Sequence, residues 1–254
     1  MSAPVFSTES RDGVLAGFMN RPHVHNALDS ELREALVDFW DRVREDPDVR
    51  VAILAGVPGA SFSSGRDMKE TAQAYESDRP GPDWELGGRT GYPADNPPGK
   101  PVIAAIDRYC MGAGLKIAAE CDLRIAATTA VFASPQAKVG RATESPLYLR
   151  RAGVPSAVAL DMVFTGLRLD AATALHHGLV SRVVPAESLI DEAWSMAAAI
   201  AGFAPTVVTG LKIGLDAELQ DLPASMGSSL WKKLTAMYGD TPDARLGARD
   251  FVGG

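Results

Sequence analysis

From Val14 to Thr128 short aliphatic runs alternate with longer amphipathic stretches: "VLAGFMN", "SELREALVDFWDRVRED", "VRVAILAGV", "KPVIAAID", "GAGLKIAAECD" and "LRIAAT". The aliphatic runs show no in-out alternation, so they read as strands buried on one or both faces, and the helical stretches between them give an α/β fold class. In the first helix Leu32, Leu36, Phe39, Trp40 and Val43 recur at three- and four-residue intervals behind Ser30, which reads as the cap. That stripe is expected to lie against the sheet.

With 254 residues, 46% hydrophobic and 22% charged, the chain suits one globular unit carrying an appendage. An α/β core is expected over 1–195 and a helical C-terminal region over 196–254, where "DEAWSMAAAIAGF", "PTVVTGLKIGLDAEL" and "SSLWKKLTAMYG" make the chain helix-rich from about Asp191. Between Tyr75 and Lys100 the composition turns to Gly, Pro, Asp and Tyr, which predicts a mobile loop that either covers a site or is a variable surface excursion.

The formal charge of -7 and pI near 5.1 exclude a nucleic-acid or anionic-membrane partner as an expectation, because both need a clustered basic face. Only Cys110 and Cys121 occur, too few for a disulfide scaffold, and "MSAPVFSTESRDG" lacks the basic-then-apolar pattern of a secretion signal. A cytoplasmic protein without a membrane span is expected.

The sequence contains no HExxH, paired CxxC, GxxxxGK[ST] or GxSxG, and "GAGLKI" lacks the third glycine of GxGxxG. Metal, nucleotide and serine-hydrolase chemistry therefore lose their usual signals. His176 and His177 fall at a helix-to-strand junction and read as packing or capping residues. What remains are two glycine-marked turns, "SFSSGRDMKE" and "YCMGAGLK", each following a hydrophobic strand. Two turns of this kind can aim backbone N–H groups at one oxygen, and a helix dipole behind the second would strengthen the effect.

The motifs "NRPHVHNAL", "GASFSSGRDMKE", "GAGLKIAAECDLRIA", "VFASPQAKVG" and "GLVSRVVP", in that order and spacing, resemble the enoyl-CoA hydratase/isomerase (crotonase) family from about Val14 to Phe251. The resemblance implies a repeated ββα spiral core, a homotrimer or dimer of trimers formed through the C-terminal helices, and an acyl-CoA thioester substrate with no metal or redox cofactor. It places the two oxyanion N–H donors on Arg66 and Ala113. It places Arg21, His23, Val24, Ser64, Asp67, Met68, Lys69, Gly112, Gly114 and Gln136 along the substrate, and puts Glu70 on the CoA side. It also leads one to expect a few basic and proline residues beyond "GARDFVGG".

The chain departs from the family's hydratases at two positions. Lys116 and Gln136 stand where those enzymes carry glutamates, and neither can both accept and return a proton at neutral pH. Eight residues past Gln136, Glu144 occupies a position where several family members place a working carboxylate, which makes it the candidate acid/base; it otherwise reads as a loop carboxylate or a cap for the helix starting near Pro146. Lys116 reads either as an ion-pair partner of Glu120, four residues on, or as a pocket cation beside Glu144 or a polar acyl group. Hydratase/isomerase-like turnover, hydrolysis or carbon–carbon bond chemistry, and acyl-CoA binding without catalysis all remain open on these residues.

Overall fold

The computed structural model describes residues 3–76, 91–140 and 143–221. The middle of the Gly/Pro-rich segment and "SSLWKKLTAMYG" lie outside them. Nine strands run in chain order: β1 (Phe6–Arg11), β2 (Val14–Met19), β3 (Val51–Gly56), β4 (Val102–Ile106), β5 (Tyr109–Met111), β6 (Leu123–Ala127), β7 (Val131–Ala133), β8 (Arg168–Asp170) and β9 (Arg182–Val184). The helices are α1 (Ser30–Glu45), α2 (Met68–Glu76), α3 (Ala113–Glu120), α4 (Ser145–Arg151), α5 (Ser156–Phe164), α6 (Ala171–His176), α7 (Leu189–Ala201) and α8 (Pro205–Asp221).

Six strands form one sheet in the order β1-β2-β3-β4-β6-β9, parallel apart from the β1–β2 hairpin. The strands β5, β7 and β8 form a second, smaller sheet. Apolar runs without alternation are explained by two cores, one on each face of the large sheet. Ala52, Leu54, Val102 and Ala104 face a core shared with Leu32, Leu36, Phe39, Trp40 and Val43 of α1. The intervening Val51, Ile53, Ile103 and Ala105 face Leu189, Ala193 and Ala197 of α7.

Three expectations are corrected. The cap of α1 is Asp29, whose carboxylate accepts the Leu32 N–H at 3.0 Å, and Ser30 is the first helical residue. A core ending at 195 would cut through α7, whose Ala193, Ala197 and Ala201 all pack on the sheet, so this helix belongs to the core along its whole length. Tyr75, where a loop was expected to start, is instead buried within α2. Among the described residues no single helix is long and apolar enough to cross a membrane.

Candidate active site

The two glycine-marked turns lie against each other. Ser63 N donates to Tyr109 O at 2.8 Å and Met111 N donates to Ser63 O at 2.9 Å, which joins the chain after β3 to β5. A Cβ on Gly65 would stand 2.8 Å from Met111 O and 3.2 Å from Ala113 N, and one on Gly114 would stand 2.6 Å from the Ser63 Cβ. Both positions therefore demand glycine for the turns to meet. Leu28 pairs with Arg66 as a parallel bridge through Leu28 N to Gly65 O, 2.7 Å, and Asp67 N to Leu28 O, 3.2 Å. This pattern turns Arg66's own N–H away from Leu28.

Ala113 opens α3. Gly112 before it has φ +52° and offers no side-chain cap, and the first intrahelical bond is Lys116 N to Gly112 O at 3.1 Å. The N–H groups of that first turn lie at the positive end of the helix.

One turn further along α3, Lys116 meets two carboxylates. Its Nζ donates to Glu144 Oε1 at 2.8 Å, stands 3.8 Å from Glu120 Oε1, and lies 4.1 Å from the centre of the Tyr92 ring. Burial works against the ammonium, but the pull of Glu120, Glu144 and Tyr92 outweighs it and Lys116 is held above its usual value. Burial would raise Glu144 as well; the Lys116 charge and hydrogen bond, with a smaller contribution from Arg66, bring it below the ordinary carboxylate value. Glu144 occupies the cap position of α4, yet its side chain makes no cap hydrogen bond. Its carboxylate is thus engaged by Lys116 and one-third exposed, with a side-chain accessibility of 35%.

Gln136 sits on the other flank of the second turn, its Nε2 3.8 Å from where a Gly112 Cβ would be. Ser134 Oγ donates to its Oε1 at 2.7 Å and its Nε2 donates to Ser145 Oγ at 3.2 Å, which fixes the orientation of the amide. Ser145 Oγ continues to Thr143 Oγ1 at 2.7 Å and to the buried Tyr148 hydroxyl. Burial pushes the Tyr148 phenol up.

The remaining sequence candidates frame the first turn. Arg21 is turned inward, its guanidinium pairing with Asp29 at 2.9 Å and Asp67 at 3.1 Å and donating to Ala27 O. Asp67 also accepts the Lys69 N–H at 3.1 Å and the Glu70 N–H at 3.3 Å, so it caps α2 and ties the turn to Arg21. Glu70, expected on the CoA side, instead accepts from Ser30 N at 3.0 Å and from its hydroxyl. Ser64 donates from N to His25 O at 2.8 Å and from Oγ to Val24 O at 3.2 Å. His23 and Lys69 are exposed, and Val24 and Met68 are half-buried. Among the described residues no group of three or more His, Cys, Asp or Glu side chains could hold a metal ion.

The enoyl-CoA hydratase/isomerase family model matches residues 9–253, nearly the whole chain. The chain belongs to this family. It is 39% identical over 242 residues to the (E)-benzylidenesuccinyl-CoA hydratase of Thauera aromatica, covering 92% of this chain and 90% of that one. It is 37% identical over 204 residues to the carnitinyl-CoA dehydratase of Proteus mirabilis, covering 80% and 77%. The crystal structure of carnitinyl-CoA hydratase from Mycobacterium avium superposes with a TM-score of 0.84 at 26% identity, covering 99% of this chain and 97% of that one.

The α/β architecture is accordingly the crotonase fold of the enoyl-CoA hydratase/isomerase family. Within this member of the family, sequence reasoning missed Tyr92 and the burial of Glu120. Tyr92 lies in a segment whose Gly and Pro content suggested a loop, but it is buried against Lys116. Glu120, read only as a possible ion-pair partner of Lys116, has a side chain only 8% exposed and shares the Lys116 ammonium with Glu144. The i, i+4 spacing was the available signal for the second pair; burial was not visible in it.

Proposed function

We propose that this chain is an enoyl-CoA hydratase-type lyase that works with a single proton-carrying carboxylate, Glu144, and acts on an acyl-CoA whose acyl group is more polar than a plain fatty chain. The observation that carries this reading is the 2.8 Å Lys116–Glu144 pair one turn past Ala113. The backbone N–H groups of Arg66 and Ala113 hold the thioester oxygen and stabilise negative charge as it develops there. As water adds to the β carbon, Glu144 accepts one of its protons; the enolate then takes that proton back at the α carbon, and the carboxylate is regenerated. Dehydration runs the same steps in reverse. Lys116 keeps Glu144 ionised and ready to accept a proton, and with Gln136 it offers donors to a polar acyl group.

Two relatives support the substrate class, since benzylidenesuccinyl and carnitinyl name acyl groups more polar than a fatty chain. The reading calls for no metal or redox cofactor. Ser64, His23, Val24, Met68 and Lys69 form the surface along which the CoA portion would lie. Arg21 and Asp67 would shape that surface from beneath, since both are engaged with each other. The exposed apolar side chains Phe164, Phe203, Val207, Leu211 and Ile213 favour assembly with further copies of the chain, as a trimer or dimer of trimers.

The test is turnover of a panel of polar enoyl-CoA and 3-hydroxyacyl-CoA esters, followed by Glu144→Gln on the best substrate. Turnover is expected to fall about 100-fold or more while affinity changes little. Binding without turnover across the panel would make the protein an acyl-CoA binder, and release of free CoA would make it a hydrolase.

A further inference from the structure

Glu120 is a buried carboxylate that the reaction above does not use. It lies one helical turn beyond Lys116 on the same face of α3. Its Oε1 is 3.8 Å from Lys116 Nζ, and its other oxygen accepts the Ala94 N–H at 3.1 Å. The charged groups facing it are Lys116 on its own helix, Asp95 beside Ala94, and Arg151 at the end of α4. Glu144 and Tyr92 occupy the other contacts of the Lys116 ammonium.

One ammonium therefore serves two carboxylates. While Glu120 is neutral, Lys116 belongs to Glu144 alone and makes it a weak base. Once Glu120 is ionised it draws the same ammonium, the grip on Glu144 loosens, and Glu144 becomes the stronger base. We propose that Glu120 is a positioning residue that sets the basicity of Glu144 by competing with it for the Lys116 ammonium. The inference rests on the reading of Glu144 as the proton carrier. Burial pushes Glu120 up to about 7, against the opposing pull of Lys116 and the Ala94 N–H, so the change between the two states falls at neutral pH.

The first measurement needs no variant and no substrate. Carboxyl carbon NMR of the intact protein should show Glu120 titrating near 7 and the Glu144 signal moving a second time in step with it. A Glu120 that titrates with ordinary surface carboxylates, or a Glu144 signal indifferent to it, overturns the proposal. The second is the pH profile of kcat/KM on the substrate found by screening. The wild type should rise about three- to tenfold through pH 7, and Glu120→Gln, whose amide oxygen can still accept the Ala94 N–H, should stay at the low-pH level throughout. An unchanged profile in Glu120→Gln overturns the proposal while leaving the role of Glu144 intact. Normal turnover by Glu144→Gln overturns the proton-carrier reading instead, and with it this one.

Discussion

Gly65 faces Ala113 across the junction of the two turns so closely that a Cβ on Gly65 would stand 3.2 Å from the Ala113 nitrogen. The same Cβ would approach Met111 O at 2.8 Å, and the residue has φ +98°, a region costly to any side chain. The glycine signal in "SSGRD" is therefore a packing requirement as well as a turn.

Gly65→Ala should separate the turns. The neighbours it would strike are backbone atoms, which cannot rotate away, so a loss of about 1–3 kcal/mol is expected from overpacking and strain. Urea unfolding measures it. Turnover should fall further than stability, because any shift moves the two N–H groups proposed to hold the thioester oxygen out of register with it. A variant of normal stability and normal turnover would show that the turns need not touch.

Glu120 makes the stability of the protein depend on pH in an unusual direction for a carboxylate. In the unfolded chain a glutamate ionises near ~4.3, whereas here burial pushes it up to about 7. The unfolded state thus releases this proton first, and Glu120 costs stability progressively as pH rises from ~4.3 to 7, with no further change above that. Glu144 acts in the opposite sense: held below its ordinary value, it adds stability that is present above ~4.3 and lost as pH falls through its folded value. Glu120→Gln should therefore be more stable than the wild type at pH 8 by about 1–3 kcal/mol, and little different at pH 4.5, as read from urea midpoints.

Lys116→Met should unbalance the cluster. It leaves Glu120 and Glu144 close together without their shared counter-charge, and an uncompensated buried charge costs about 3–5 kcal/mol. Because both carboxylates are then easier to protonate, the loss should be large at pH 8 and smaller at pH 5. Equal destabilisation at both pH values would mean that lost packing against Tyr92, rather than charge, is what Lys116 contributes.

The central strands of the large sheet were legible because "VAILAG" and "VIAAI" are apolar on both faces and too short for a buried helix. β1 was not, since "FSTESR" is an exposed edge with five polar residues, although Asp12-Gly13 behind it marks the tight turn of a hairpin. At the site, Lys116 and Glu144 could be paired from helical phase and the family's pattern. The place of Tyr92 and the burial of Glu120 could not be read, because both depend on a segment more than 20 residues before Lys116, and a lone aromatic among glycines and prolines carries no period.

The site also specifies how it could be turned toward plain enoyl-CoA hydration. The wild type should hydrate crotonyl-CoA about 100-fold more slowly than enzymes with both glutamates, since Lys116 and Gln136 cannot cycle a proton and leave Glu144 as the single carrier. Lys116→Glu with Gln136→Glu restores the two carboxylates, and Gln136→Glu fits its surroundings, because the Ser134 and Ser145 hydroxyls can each donate to it. Lys116→Glu does not fit. It would place a third carboxylate beside Glu120 and Glu144 with no ammonium left among them, and like charges at that spacing keep one or more protonated. The double variant should therefore gain hydration activity only at alkaline pH. Adding Glu144→Gly removes one of the three and should bring the gain down to neutral pH. Crotonyl-CoA hydration followed across pH for the wild type, double and triple variants checks the order; a double variant as active at pH 7 as the triple would show that Glu144 and residue 116 do not share one electrostatic site.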